Sequence, residues 1–154
     1  MRKVLLCGCL AAAALLNAAP AARASDDSIR QVVRDQATRQ VKEDKRFGNA
    51  LEHLKTRKGL KKASKASGRQ AASVKMWHDA LAAETADTPQ VAEGQKDMLA
   101  ALDLYNKGIR RFQKAVRQAL NDGGSSGYSK AKAAGRNMRT AIKRVAAAAD
   151  KIAG

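Results

Sequence analysis

Apolar residues recur every three or four positions through most of the chain, which is the period of an amphipathic α-helix. The clearest run lies between residues 98 and 120, where steps of four and three alternate as in the seam of a helical bundle. A second run with the same rhythm extends from Tyr128 to Ile152. Both runs predict long helices that bury one face. The apolar positions of the first run are Met98, Leu102, Tyr105, Ile109, Phe112, Val116 and Leu120.

Two weaker apolar runs precede these helices. The first begins at Ile29, repeats in steps of four as far as Val41, and resumes at Phe47. Gly48 is the point at which this helix would kink or break, because glycine weakens a helix interior. The second run extends over residues 60–81 and contains the single tryptophan. Both runs predict helices.

Helix-terminating residues separate the four runs. Gly59 follows a basic stretch, as glycine commonly does after the last turn of a helix. Thr88 and Pro89 match an N-cap followed by a first-turn proline, and a segment rich in glycine and serine occupies residues 121–127. The pattern therefore predicts an all-α protein, an antiparallel up-down-up-down four-helix bundle with short connections. The expected helices cover about residues 26–58, 60–86, 89–121 and 127–152.

The first 24 residues differ from the rest of the chain. Arg2 and Lys3 precede an apolar stretch, and Ala22 and Ala24 supply the small residues expected before a cleavage point. The stretch is shorter than the ~20 residues of a transmembrane helix. We therefore expect residues 1–24 to be a cleaved secretory signal peptide and residues 25–154 to form one exported domain, periplasmic or extracellular, without a transmembrane span.

Composition excludes several classes of protein. Aromatic residues make up only 3% of the chain, and β-branched residues are scarce, which argues against a sheet. The apolar share of 45% is too high for a disordered polyelectrolyte. Both cysteines, Cys7 and Cys9, lie in the leader, so the mature chain would have no disulfide and no cysteine-based metal site.

The sequence contains no recognisable catalytic constellation. Most carboxylates fall off the apolar stripes, so no spacing brings two of them to one cleft. A di-iron bundle needs Glu-x-x-His on two helices, but Ala50 and Lys75 stand three residues before His53 and His78. No glycine-rich phosphate loop follows a predicted strand. We expect a protein that is not an enzyme and has no resident metal or cofactor.

The layout of a leader, four amphipathic helices of similar length and a proline-bearing turn before the third helix resembles the exported haem-binding bundles of the cytochrome b562 type. That resemblance implies a methionine ligand near the start of the first helix and a histidine ligand near the end of the fourth. This chain has neither at those places, although His78 lies beside Met76 and Trp77. A cofactor-binding or other small-ligand-binding bundle is therefore the alternative interpretation.

Charge is the most informative feature. Thirty lysines and arginines stand against 14 acids, and the basic residues concentrate in residues 55–69 and 107–144. In an up-down-up-down bundle the first and third connections lie at the same end, so both clusters should meet there. We call this the basic end, and its candidate anion-binding residues are Lys55, Arg57, Lys58, Lys61, Lys62, Lys65, Arg110, Arg111, Lys130, Lys132, Arg136 and Arg139.

A concentration of like charge favours an anionic partner, although a charged surface also serves solubility. For an exported protein the available partners are an anionic cell-envelope polymer, acidic lipid headgroups or an acidic protein. Nucleic acid is less favoured, because the aromatic residues fit core positions and leave none for base stacking. The oligomeric state stays open.

Overall fold

The computed structural model describes residues 24–122 and 125–154, apart from the side chains of residues 24, 125–127, 132 and 136. It contains four helices, α1 (Ala24–Leu51), α2 (Arg57–Ala82), α3 (Pro89–Asp122) and α4 (Ser125–Ala153), and the described part of the chain has no strand. The prediction of an all-α helical bundle is confirmed. Residues 1–23, and with them nearly all of the predicted leader, lie outside the described residues.

Consecutive helices run in opposite directions. Residues early in one helix contact residues late in the next, so the α1–α2 and α3–α4 connections lie at one end of the bundle and the α2–α3 connection at the other. The pairs that show this are Gln40 with Ser73 and Asp44 with Gln70 between α1 and α2, Gln70 with Tyr105 and Gln95 with Leu81 between α2 and α3, and Lys130 with Gln118 and Lys151 with Glu93 between α3 and α4.

Helix α3 is the centre of the core. Six of the seven apolar positions that its sequence pattern selects are buried, and Leu120 is half-buried. Phe112 is fully buried and meets the ring of Phe47 edge-on, with 5.1 Å between the centroids. This geometry favours an aromatic pair because the positive edge of one ring faces the negative face of the other. The contact joins α3 to the last turns of α1.

Helices α3 and α4 form the most extensive contact of the bundle. Small residues spaced by seven lie buried on both helices, which lets the backbones approach closely. A Cβ atom built on Gly108 would lie 2.7 Å from Cγ of Met138. The buried small residues are Gly94, Ala101, Gly108 and Ala115 on α3 and Ala134, Ala141 and Ala148 on α4.

The first turn of α1 holds the start of α3. Asp26 is only 1% exposed, and its Oδ1 accepts hydrogen bonds from the backbone N–H groups of Asp87 (2.8 Å) and Thr88 (3.3 Å). Its Oδ2 accepts a third from the Thr88 hydroxyl (2.7 Å). Burial favours the neutral form of Asp26, but these hydrogen bonds outweigh it and lower its pKa. Helix α3 begins with Pro89, as the sequence predicts.

The junction between α1 and α2 differs from the expected one. Helix α1 passes through Gly48 without a break but ends at Leu51, whereas we expected it to reach residue 58. Thr56 caps α2 by accepting a hydrogen bond from the Gly59 N–H (3.0 Å), so Gly59 lies inside the first turn of α2. A Cβ atom at Gly59 would collide with the backbone carbonyl of His53, so the glycine serves close packing of the turn.

None of the helices in the described part of the chain is long and apolar enough to cross a membrane.

Candidate functional site

The basic residues that the sequence selects lie on the surface. All ten members with described side chains are exposed, and none forms an ion pair with another described residue. Lys130 donates a hydrogen bond to Gln118 (3.1 Å) on α3. Lys132 and Arg136 lie on α4, but their side chains are outside the described part of the structure.

Two of these lysines share a groove between α1 and α2, which we call the basic groove. Lys62 and Lys65 of α2 are joined there by Arg69, and Arg46 and His53 face them from α1 and the turn that follows it. The groove has a volume of about 420 Å³, and no carboxylate is found among the described residues that line it. These residues are Arg46, Asn49, Ala50, His53, Lys62, Lys65, Ala66 and Arg69.

Helical spacing and antiparallel packing together build this groove. Residues three, four and seven positions apart lie on one side of a helix. Lys62 and Arg69 are seven apart on α2, whereas Arg46 lies on α1 and His53 lies in the turn that follows α1. The turn after α1 is held by the Thr56 N–H, which donates to the His53 carbonyl (3.3 Å).

The sequence list and the groove overlap only in part. Arg69 belongs to the basic run at residues 55–69 but not to the list of candidates, and Arg46 and His53 lie outside that run. The spacing of seven from Lys62 could have identified Arg69, whereas no helical spacing predicts the position of His53, which lies in the turn after α1. Arg110 and Arg111 lie on α3 and do not line the groove.

A second cavity separates α1 from α4, and we call it the α1–α4 cleft. These two helices make few contacts; near the end of α4, Nε of Arg30 donates to the Ile152 carbonyl (3.1 Å). Towards the basic end they part and leave a cavity of about 460 Å³. The cleft is lined by Asp44, Phe47, Gly48, Asn49, Leu51, Glu52, Leu54, Tyr105, Phe112, Tyr128, Ala131, Gly135, Met138, Arg139 and Ile142.

Asp44 is the buried polar member of the cleft lining, with 4% of its surface exposed. Its Oδ1 accepts hydrogen bonds from Nε2 of Gln40 (2.8 Å), from Nε2 of Gln70 and from the hydroxyl of Tyr105 (3.0 Å). The Tyr105 hydroxyl accepts a further hydrogen bond from Gln70 (2.7 Å). This network connects α1, α2 and α3. Burial raises the pKa of Asp44, and the three hydrogen bonds only partly offset it.

His78, which the sequence places beside Met76 and Trp77, does not line the α1–α4 cleft. Met138 lines the cleft, whereas His78 lies on α2 between the carboxylates of Asp79 (3.6 Å from Nδ1) and Asp103 (3.7 Å from Nε2). Within the described residues no group of three or more His, Cys, Asp or Glu side chains is placed to hold a metal ion. The residues of this cleft therefore do not fit an iron held by both side chains.

The sequence pattern missed Asp44 and Gln70 because both are polar. The first helix was traced through Ala37 and Val41, which are half-buried, whereas the buried residues that follow Val33 include Gln40 and Asp44. Steps of seven, four and three from Val33 lead to Gln40, to Asp44 and then to Phe47. This spacing is the feature of the sequence that could have identified the buried polar positions of α1.

Comparison of the chain with protein-family models, with curated proteins and with solved structures finds no match, so its function has to be argued from its own residues.

Proposed function

We propose that this protein is an exported, non-enzymatic helical bundle that binds an anionic envelope polymer, or an acidic partner of similar charge density, through its basic end. The observation that carries the proposal is the basic groove, in which three basic residues of α2 face Arg46 of α1 and His53 of the turn that follows α1. An extended polyanion can run along such a groove and contact both helices.

The charges of the groove are not used inside the protein. Lys62, Lys65 and Arg69 form no ion pair with a described residue, and only Arg46 has a carboxylate partner, Glu43. Like charges held this close repel each other and cost folding stability. An anion would remove that cost and release counterions at the same time.

A phosphate-rich polymer fits better than nucleic acid read through its bases. Trp77, Tyr105 and Phe112 are buried, so these rings are not available for stacking on bases. Lysine and arginine contacts to phosphate need no stacking and carry no sequence preference. The partner that this chemistry favours is therefore a repeating anion such as a phosphorylated envelope glycan.

Charge reversal tests the proposal directly. Lys62→Glu combined with Lys65→Glu should lower the salt concentration at which the protein leaves a heparin or lipopolysaccharide matrix. Loss of two phosphate contacts should reduce the slope of log affinity against log salt by about two. The matched control is Lys75→Glu with Lys96→Glu, which makes the same change in net charge at exposed positions late in α2 and early in α3, away from the basic end. A third pair, Lys58→Glu with Lys61→Glu, makes the change inside the basic end but outside the groove.

The control decides between a groove and a general charge effect. Reversal of Lys58 and Lys61 should weaken retention clearly less than reversal of the groove pair, and reversal of Lys75 and Lys96 should have the smallest effect. If reversal of each of the three pairs reduced retention equally, binding would depend only on the net charge of the protein. Failure of the wild-type protein to bind either matrix near physiological salt would refute the proposal.

A further inference from the structure

Asp44 has no cationic partner among the described residues, although the chain has a large excess of cations. Its three hydrogen-bond donors, Gln40, Gln70 and Tyr105, are all neutral groups, and no ion pair to Asp44 is found among the described residues. A buried carboxylate without a counter-charge is costly to ionise. The place from which a counter-charge could come is the α1–α4 cleft, which Asp44 lines.

One oxygen of this carboxylate remains available to a ligand. All three donors converge on Oδ1, and no hydrogen bond to Oδ2 is found among the described residues. The network also leaves Oε1 of Gln70 without a hydrogen-bond partner, although Gln70 is fully buried. Buried polar atoms are normally satisfied, so the network is built around an incomplete set of donors.

The rest of the cleft is suited to an apolar body. Phe47, Phe112 and Met138 are buried side chains in its wall, and Leu51 and Ile142 are half-buried. Its volume of about 460 Å³ lies within the range of roughly 300–1,000 Å³ that small-molecule sites occupy. Apolar walls around a few polar groups are the usual composition of such sites.

We propose that the α1–α4 cleft binds an amphiphilic amine, with its ammonium group on Oδ2 of Asp44 and its apolar body against Phe47, Phe112 and Met138. An ammonium group supplies both a hydrogen-bond donor and the missing counter-charge. The charged side chains among the described lining residues are the carboxylates of Asp44 and Glu52 and the guanidinium of Arg139, a set that favours a cation over an anion. The proposal does not depend on the basic groove.

The competing explanation is that the Asp44 network only fixes the register of α1, α2 and α3, as buried polar residues do in some helical proteins. That role requires no ligand and predicts no preference among ligands of equal length. The two explanations therefore differ in a binding measurement.

The experiment is isothermal titration calorimetry with three eight-carbon probes, octylamine, octanol and octanoate. Octylamine and octanoate are kept below their micelle-forming concentrations, and octanol is kept below its solubility limit. Octylamine should bind the wild-type protein about tenfold or more tightly than octanol, because only the amine makes a charge-assisted hydrogen bond. Asp44→Asn, which preserves the shape of the side chain, should reduce octylamine affinity by a similar factor. Octanoate should bind most weakly.

A second variant tests the location independently of Asp44. Gly135 lines the cleft, and a Cβ atom built there has no neighbour within 4 Å, so Gly135→Leu should fill the cleft without strain and abolish octylamine binding. Gly68→Leu is the matched control. Gly68 is an exposed position of α2 outside the cleft, and a Cβ atom built there also has no neighbour within 4 Å. Both changes place leucine in a helix, so neither should impair folding.

The proposal is supported if octylamine binds best, if Asp44→Asn and Gly135→Leu each weaken it, and if Gly68→Leu does not. It is overturned by a lack of octylamine binding, by equal affinity for octylamine and octanol, or by tighter binding of octanoate. Unchanged octylamine affinity in either cleft variant would overturn it as well.

Discussion

Replacement of Gly94 by alanine tests whether α3 and α4 lie as close together as the structure places them. A Cβ atom at this position would lie 2.7 Å from Cγ1 of Ile152, 3.1 Å from the Ile152 backbone nitrogen and 3.2 Å from Cβ of Lys151. The backbone atom cannot rotate away. Ion pairs from Lys151 to Glu93 (2.9 Å) and Asp97 (2.6 Å) hold this part of α4 against α3. Alanine therefore requires the helices to separate.

Two opposing effects set the magnitude. Alanine in place of a helical glycine stabilises by about 1 kcal/mol, whereas overpacking a close contact costs about 1–3 kcal/mol. Because a backbone atom is among the contacts, we expect Gly94→Ala to lose about 1–2 kcal/mol of unfolding free energy. Gly68→Ala has no atom within 4 Å of its new Cβ and should gain about 0.5–1 kcal/mol. Gly108→Ala should fall between them, because the flexible Met138 side chain can move.

The assay is urea denaturation of the three variants and the wild type, with unfolding monitored by far-UV circular dichroism. The measured order of stability should be Gly68→Ala, then Gly108→Ala, then Gly94→Ala. If Gly94→Ala stabilised the protein as much as Gly68→Ala, the small-residue contact between α3 and α4 would be refuted. A loss in all three variants would contradict the exposed position of Gly68.

Three further predictions concern the core and its buried acids. Phe112→Ala should cost about 3–5 kcal/mol in the same assay, because the side chain is fully buried, and an unchanged unfolding midpoint would contradict the register of α3. Burial raises the pKa of Asp44 above 3.8, so the folded protein holds this proton more tightly than the unfolded chain and loses that stabilisation as the pH rises through the folded-state pKa. Asp44→Asn should therefore gain stability relative to the wild type in thermal unfolding as the pH is raised above 3.8, and a constant difference would contradict this. Asp26 should behave in the opposite way. Burial opposes its ionisation, but the hydrogen bonds from Thr88 and Asp87 lower its pKa below 3.8. The ionised Asp26 therefore stabilises the fold above pH 3.8, and this stabilisation is lost as the pH falls through its folded-state pKa. The stability difference between wild type and Asp26→Asn should shrink as the pH is lowered through that range, and a difference that grew in acid would oppose this assignment.

The sequence was sufficient for the elements with strong periodicity. In α3, the apolar positions from Met98 to Val116 that the heptad pattern selects are all buried, and the helix begins at Pro89 as expected. The prediction of buried positions in α3 succeeded because the spacing of apolar residues alone determines which face of a helix is apolar and is therefore buried. The excess of positive charge, and its concentration in two segments, is likewise a property of the sequence alone.

The register and end of α1 were not predictable in the same way. Gln40 and Asp44 occupy buried positions that an apolar pattern passes over, because their burial depends on donors from α2 and α3. Helix α1 ends at Leu51 because Thr56 caps the next helix and the His53 carbonyl packs on Gly59. Each of these contacts joins residues that only packing brings together.

What the sequence by itself determined is therefore the helical class, the α3 seam and the surplus of cations. Only the tertiary structure decided that Lys62, Lys65 and Arg69 share a groove with Arg46 and His53, and that α1 and α4 part to form a cleft beside Asp44. The physical reason is that periodicity defines which face of a helix is buried, whereas the distance and angle between two helices depend on the side chains of both.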